Sequence, residues 1–244
     1  MNVETHRWAS PTLRRTMELK LYGHGGRPMI VFPTSEGRFY DYENFGMIGV
    51  LAPWIEDGLL LVACVDGIDP ETWFGRGVPP AHRGVRYNEY QAYIVQEVVP
   101  FVQARAPAPG LIAHGCSFGA FHAANAYFKR PDLFDCAIGL SGVYSLAFSV
   151  GEFVDDNVYY NDPLRYLPNL DDPRALLALR RNRLILCNGQ GPWEDWSLAE
   201  SRALAAVLTR KEIPHWLDVW GPDVAHDWPW WKKQIAYFLG HLGL

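Results

Sequence analysis

The chain has little that would carry it across or onto a membrane. No stretch of its 244 residues approaches the ~20 consecutive apolar residues of a helical span. Met1 to Trp8 also lacks the apolar centre of a secretory leader. A cytoplasmic location is therefore the expectation. Basic tracts are missing and the formal net charge is −5, so neither nucleic acid nor an anionic membrane surface is expected as a partner. Cysteine is scarce. Cys64, Cys116, Cys136 and Cys187 each lie in or at the end of an apolar run, where a reduced thiol behaves as a small hydrophobe. Their spacing fits neither a disulfide framework nor a zinc site. Glycine-rich phosphate loops are absent too: His24-Gly25-Gly26 continues into neither G-x-G-x-x-G nor a Walker lysine, and reads as a turn.

What the chain has in abundance is aromatic side chain, with 10 Trp, 12 Tyr and 12 Phe. A chain of this length buries roughly 70–75% of its unfolded surface in one core, so residues 1–244 are expected to form one domain. Leu13 to Tyr22 and Pro28 to Pro33, on either side of the Gly23–Gly26 turn, read as an antiparallel hairpin. Short apolar runs at Leu59–Val65, Gly110–His114, Cys136–Leu140, Arg183–Asn188 and His215–Trp220 have the character of buried parallel strands. Helical patterns lie between and after them, at Gly46–Ile55, Tyr87–Arg105, Phe118–Lys129, Leu198–Lys211 and Pro229–Leu242. This alternation predicts an α/β fold with a mostly parallel central sheet and helices on both faces. Residues 143–180 break the rhythm with short Pro- and Asp-rich pieces, expected to form a small cap-like insertion over the active site.

The most informative segment is the strand Leu111–His114 running into Gly115-Cys116-Ser117-Phe118-Gly119 and then a small-residue helix. A glycine on each side of a serine, at a strand-to-helix turn, makes a nucleophile elbow. The turn lifts Ser117 Oγ clear of the sheet. It also aims the Phe118 amide at a substrate oxygen, because the first amides of a helix have no partner within it. Cys116, in the x position, should point into the protein.

A serine nucleophile needs a base, and the base needs a carboxylate to hold its tautomer. His226, on the Gly221–Asp227 loop just before the last helix, is the candidate base. Asp227 is placed to cap that helix ahead of Pro229. Glu194 and Asp195 follow the strand Arg183–Asn188 and a Gly/Pro-containing loop. Glu194 is preferred and Asp195 is the alternative, placed to cap a helix beginning near Ser197; Asp223 is a more remote option. The second oxyanion donor should come from the loop after the strand ending at Phe32, as the amide of Ser35 or Thr34. Trp73, Phe74, Tyr144, Trp193, Trp228 and Trp230 are candidates to line an acyl pocket, and Arg38 and Arg76 to contact an anionic group.

Taken together, Gly115-Cys-Ser-Phe-Gly-Ala with Asn125, Pro131-Asp-Leu-Phe134, Leu140-Ser-Gly142, the Gly189-x-x-x-x-Glu194 spacing and His226-Asp-Trp resemble the "putative esterase" branch of the α/β-hydrolases. That branch includes esterase D, the enterochelin esterases and the mycolyltransferases. The resemblance runs from about Pro28 onward. It implies an α/β-hydrolase fold and a serine carboxylester hydrolase using Ser117, His226 and Glu194 or Asp195, with no metal or organic cofactor. The expected partner is a small-molecule ester, and a homo-oligomer is compatible with it. The loop after the second strand departs from the esterase D pattern, so no substrate is carried over. The alternatives are acyl transfer through the same acyl-enzyme and a non-catalytic scaffold used for binding.

Overall fold

Nearly every central strand is an unbroken apolar run whose successive side chains point to opposite faces, which dictates a sheet covered on both faces. The computed structural model describes residues 1–244. Its eight strands are β1 (Val3–Ser10), β2 (Arg15–Tyr22), β3 (Arg27–Phe32), β4 (Leu60–Val65), β5 (Leu111–Cys116), β6 (Phe134–Leu140), β7 (Arg183–Asn188) and β8 (Trp216–Val219). They form one sheet in the order β1-β2-β4-β3-β5-β6-β7-β8. Only the β1–β2 and β2–β4 pairs are antiparallel. Leu61, Ala63 and Val65 of β4 enter one apolar cluster while Leu60, Val62 and Cys64 enter the other, and Ile30 and Phe32 part from Met29 and Val31 in the same way along β3.

Five longer helices cover these faces: α1 (Met47–Glu56), α2 (Pro80–Tyr93), α3 (Phe118–Lys129), α4 (Asp195–Arg210) and α5 (Trp228–Leu242). Tyr87, Tyr90, Phe121, Leu204 and Leu208 carry α2, α3 and α4 onto the first cluster. Met47, Leu51, Ile55, Ile235 and Phe238 carry α1 and α5 onto the second. The cysteines are unpaired and buried, all within the second cluster. No helix is long and apolar enough to cross a membrane. This is the mostly parallel sheet with helices on both faces of an α/β-hydrolase fold.

The structure corrects three readings of the sequence. Arg15–Tyr22 and Arg27–Phe32 do not form a hairpin, because β4 lies between them and pairs with both. Gly23 and Gly26, at φ 110° and 90°, let the chain step across one strand position rather than fold back on its neighbour. The true hairpin is β1–β2, with Val3 opposite Tyr22 and Ser10 opposite Arg15. β1 escapes detection because an edge strand needs only one apolar face, and Glu4, His6 and Arg7 blur its alternation. The helix expected from Tyr87 starts at Pro80, where Pro79-Pro80 sets its first turn. It then continues through one wider turn at Ile94–Val98 to Gln103.

Residues 143–180 fold into short helical pieces, among them Ala147–Val150, Asp156–Tyr159, Pro163–Tyr166 and Pro173–Leu179. Most of the segment packs onto the flank of the domain. Leu146, Val158, Leu167 and Leu179 enter the first cluster, and Asn161 bonds Asn88 of α2 and Asn125 of α3.

In α5, Phe238 is fully buried, whereas Gly240 is exposed with open space where a Cβ would stand. Phe238→Ala is expected to cost about 3–5 kcal/mol, and Gly240→Ala to add about 0.5–1 kcal/mol by removing a glycine from a helix. Denaturant unfolding of the two variants measures both.

Candidate active site

At the elbow the backbone approaches itself so closely that side chains are excluded. A Cβ on Gly115 would lie 2.2 Å from the Gly119 carbonyl carbon, and one on Gly119 would lie 2.6 Å from Phe32 O and 2.7 Å from Pro33 O. The two glycines therefore let α3 sit directly against β5 and the end of β3. Ser117 lies between them at φ 54°, ψ −124°, a conformation an L-residue holds only when its surroundings impose it. Its amide donates to Leu140 O at 2.8 Å, and its carbonyl accepts from Ala120 N at 3.0 Å. Cys116 points the other way into the second cluster. Burial pushes its thiol well above the usual range, which keeps it protonated.

His226 reaches the same point from the other side. Its Nε2 lies 2.9 Å from Ser117 Oγ. The His loop is zippered to the acid loop: Gly191 N donates to Val224 O at 2.8 Å and His226 N to Pro192 O at 3.0 Å. Asp227 caps α5 by accepting from Trp228 N. Trp231, one turn into α5, packs edge-on against the imidazole with ring centroids 5.1 Å apart.

The carboxylate facing the imidazole is Glu194, whose Oε2 lies 3.9 Å from His226 Nδ1. That separation exceeds a hydrogen bond, and Nδ1 has no other partner. Glu194 is fully buried. It accepts from Ser141 Oγ, from Ser197 Oγ at 2.7 Å and from Asn188 Nδ2 at 3.1 Å. Burial pushes its carboxyl up, but the facing His226 imidazole and the donors Ser141, Ser197 and Asn188 outweigh burial and bring it down to about 2. Trp231 Nε1 donates to Ser141 Oγ at 2.9 Å, which orients that hydroxyl toward the carboxylate.

Asp195 is exposed, and its carboxylate makes no hydrogen bond. It is also not the cap expected of it, because α4 begins at Asp195 itself and Glu194 occupies the preceding position. Asp223 is exposed on the far part of its loop.

Ser117 and His226 open onto a cavity of about 260 Å³ whose walls include Phe74, Val143, Phe148, Trp193 and Trp196. Ser35 lies on its rim, whereas Thr34 does not line it. The amides of both Ser35 and Thr34 are unengaged by any backbone acceptor. Trp193 is 87% exposed at φ 68°, turned outward as Glu194 turns inward.

Six of the expected pocket residues lie elsewhere, Trp230 and Arg76 among them. Trp73 and Tyr144 are core residues, 1% and 0% exposed, so they support the wall without touching a ligand. Trp228 stacks on Phe45 at 4.4 Å. Arg38 is held by Asp66 and Glu18, outside the cavity. Sequence reasoning missed Val143, Phe148 and Trp196 in the wall, and Ser141, Asn188 and Ser197 around the acid. Ser141 did carry a signal, as part of Leu140-Ser-Gly142, but a hydroxyl bonded to a carboxylate 53 residues away has no local signature.

The family model described as "Putative esterase" matches residues 55–242. No curated protein sequence matches the chain. Among solved structures, it is similar to a ferulic acid esterase at TM-score 0.76 and 14% identity, over 98% of this chain and 96% of that one. It is also similar to an S-formylglutathione hydrolase from Agrobacterium tumefaciens at TM-score 0.77 and 13% identity, over 98% and 93%. An enterobactin esterase from Shigella flexneri is similar at TM-score 0.70 and 18% identity, over 97% of this chain and 58% of that one. At these identities the likeness is one of fold, and with the family match over most of its length the chain belongs to the Putative esterase family of the α/β-hydrolases, which supports ester hydrolysis as its chemistry.

Proposed function

We propose that the chain is a serine esterase acting through an acyl-enzyme. What supports this reading most is the 2.9 Å contact between Ser117 Oγ and His226 Nε2 at the mouth of an apolar cavity. Ser117 Oγ attacks the ester carbonyl carbon as its proton passes to His226 Nε2. The carbonyl oxygen becomes an oxyanion held by the amides of Phe118 and Ser35, with Thr34 as the alternative second donor. When the tetrahedral adduct collapses, the C–O bond to the alcohol breaks and the departing oxygen takes the proton from His226. Water then gives His226 a proton and attacks the acyl carbon, and Ser117 leaves with that proton. Glu194, ionised down to about pH 2, opposes the charge that His226 gains in both half-reactions. Phe74, Phe148, Trp193 and Trp196 suit an ester with a flat or branched apolar group on one side of the scissile bond.

Ser117→Ala removes one hydroxyl from a half-buried turn. It is expected to leave the unfolding midpoint unchanged while lowering kcat on a p-nitrophenyl ester by about 10⁴-fold or more. Wild-type turnover in the folded variant would defeat the proposal.

The acid is tested by a pair of amides. Glu194→Gln is expected to lower kcat by about 10⁴-fold, because the neutral amide no longer holds the productive tautomer, whereas Asp195→Asn should change it less than about threefold.

Stability should carry the same mark. The Glu194 carboxyl is depressed from an unfolded value near 4.3 to about 2, so its contribution is fully present above about pH 4.5 and is lost as pH falls toward 2. In the wild type this amounts to about 2–3 kcal/mol. Between pH 5 and pH 2.5, Glu194→Gln should therefore lose less stability than the wild type in denaturant unfolding.

A further inference from the structure

A second buried His–carboxylate pair lies behind the site, and the mechanism above does not use it. Asp69, on the loop after β4, is 1% exposed and His122, one turn into α3, is 2% exposed. Asp69 Oδ1 lies 3.1 Å from His122 Nε2, and His122 Nδ1 lies 3.1 Å from the hydroxyl of buried Tyr87. Burial pushes the Tyr87 hydroxyl well above its usual range, so it stays protonated and can donate to Nδ1. That leaves Nε2–H to donate to Asp69. The other oxygen, Asp69 Oδ2, accepts the backbone N–H of Glu36 at 2.9 Å.

These two bonds tie together the two elements that carry the oxyanion donors. Glu36 follows Ser35 directly, and His122 stands four residues after Phe118 on the same helix. Glu36 is held at φ 54°, a left-handed conformation that costs about 1–3 kcal/mol unless its surroundings impose it. The Asp69 oxygen on its amide is such a restraint. The carbonyl of Asp69 also accepts from Phe74 N at 3.0 Å, so the same residue sets the wall of the cavity.

We propose that Asp69, oriented by His122 and Tyr87, is a positioning residue of the oxyanion hole: it holds the Ser35 amide in register with the Phe118 amide over Ser117. The inference rests on the serine esterase reading. It assigns these residues no proton transfer and no contact with substrate. Their effect is confined to the state in which the oxyanion exists, so they should move kcat and leave KM alone.

The test compares Asp69→Ala and Asp69→Asn on a p-nitrophenyl ester, with phenylboronic acid as a tetrahedral-adduct mimic and a fluorophosphonate as a label for Ser117. Asparagine can reproduce both bonds. Its Oδ1 accepts Glu36 N–H, while its amide N–H donates to His122 Nε2 as the imidazole shifts to the tautomer that donates from Nδ1 to Tyr87. Asp69→Asn should therefore keep kcat within about fivefold of the wild type. Asp69→Ala should lower kcat by about 10²-fold, the scale of a lost oxyanion donor, with KM within twofold and phenylboronic acid inhibition weakened in proportion to kcat. If Asp69→Ala does not fold, His122→Leu, which keeps the buried volume and removes the tie to α3, should lower kcat by about tenfold at unchanged KM. A kcat for Asp69→Ala within threefold of the wild type would overturn the inference. So would an equal loss in the alanine and asparagine variants, or a loss confined to KM. A wild type that neither turns over esters nor takes up the fluorophosphonate at Ser117 would instead overturn the esterase reading on which the inference stands.

Discussion

The site depends on a backbone contact in which no side chain takes part. Where β5 turns into α3, Gly115 meets Gly119, and Gly119 meets the carbonyls of Phe32 and Pro33, all at distances that leave no room for a Cβ. This contact sets the helix axis, and with it the direction in which the first amides of α3 point. It also brings the end of β3 against the same helix, so the loop carrying Ser35 starts from a defined place. Ser117 takes its unusual backbone angles because the segments on either side are already immobilised. The strain is local, and the packed sheet beneath it supplies the constraint.

A buried carboxylate is the second determinant. Stripped of its partners, a charge at the position of Glu194 would cost several kcal/mol. Here Ser141 from the end of β6, Asn188 from the end of β7 and Ser197 from α4 all donate to it. The acid is thus held by three elements and has little freedom to follow the imidazole. The zipper between the Gly189–Pro192 and Gly221–His226 segments instead carries His226 to the acid. Trp231 serves both sides, with its ring against the imidazole and its N–H on Ser141.

Adjacent residues diverge sharply around this carboxylate. Glu194 turns inward and is fully buried, while Trp193 on one side is 87% exposed and Asp195 on the other is solvated. The same inward turn sends Trp193 to the rim of the cavity at a positive φ. Trp193 and Trp196 then form an aromatic edge at the mouth. The more deeply buried aromatics that sequence suggested for the pocket, Trp73 and Tyr144, belong to the core behind it.

The sequence by itself determined what depends on local chemistry. The G-x-S-x-G turn between an apolar strand and a small-residue helix, the cap at Asp227, the burial of the cysteines and the alternation of strands and helices could all be read from neighbouring residues, because each rests on contacts a few positions apart. Tertiary structure alone decided the rest. The insertion of β4 between β2 and β3 depends on pairing partners tens of residues apart, which the Gly23–Gly26 turn does not encode. Glu194 and Asp195 are near-equivalent as letters, and they separate only when α4 starts at Asp195 and the ends of β6 and β7 deliver Ser141 and Asn188 to one side of the chain. Asp69 and His122 carried no signal of a link to the Ser35 loop, because their bond spans 53 residues and exists only when three elements pack together. Side-chain chemistry is local and legible, whereas the geometry that gives it a role is made by packing between distant segments.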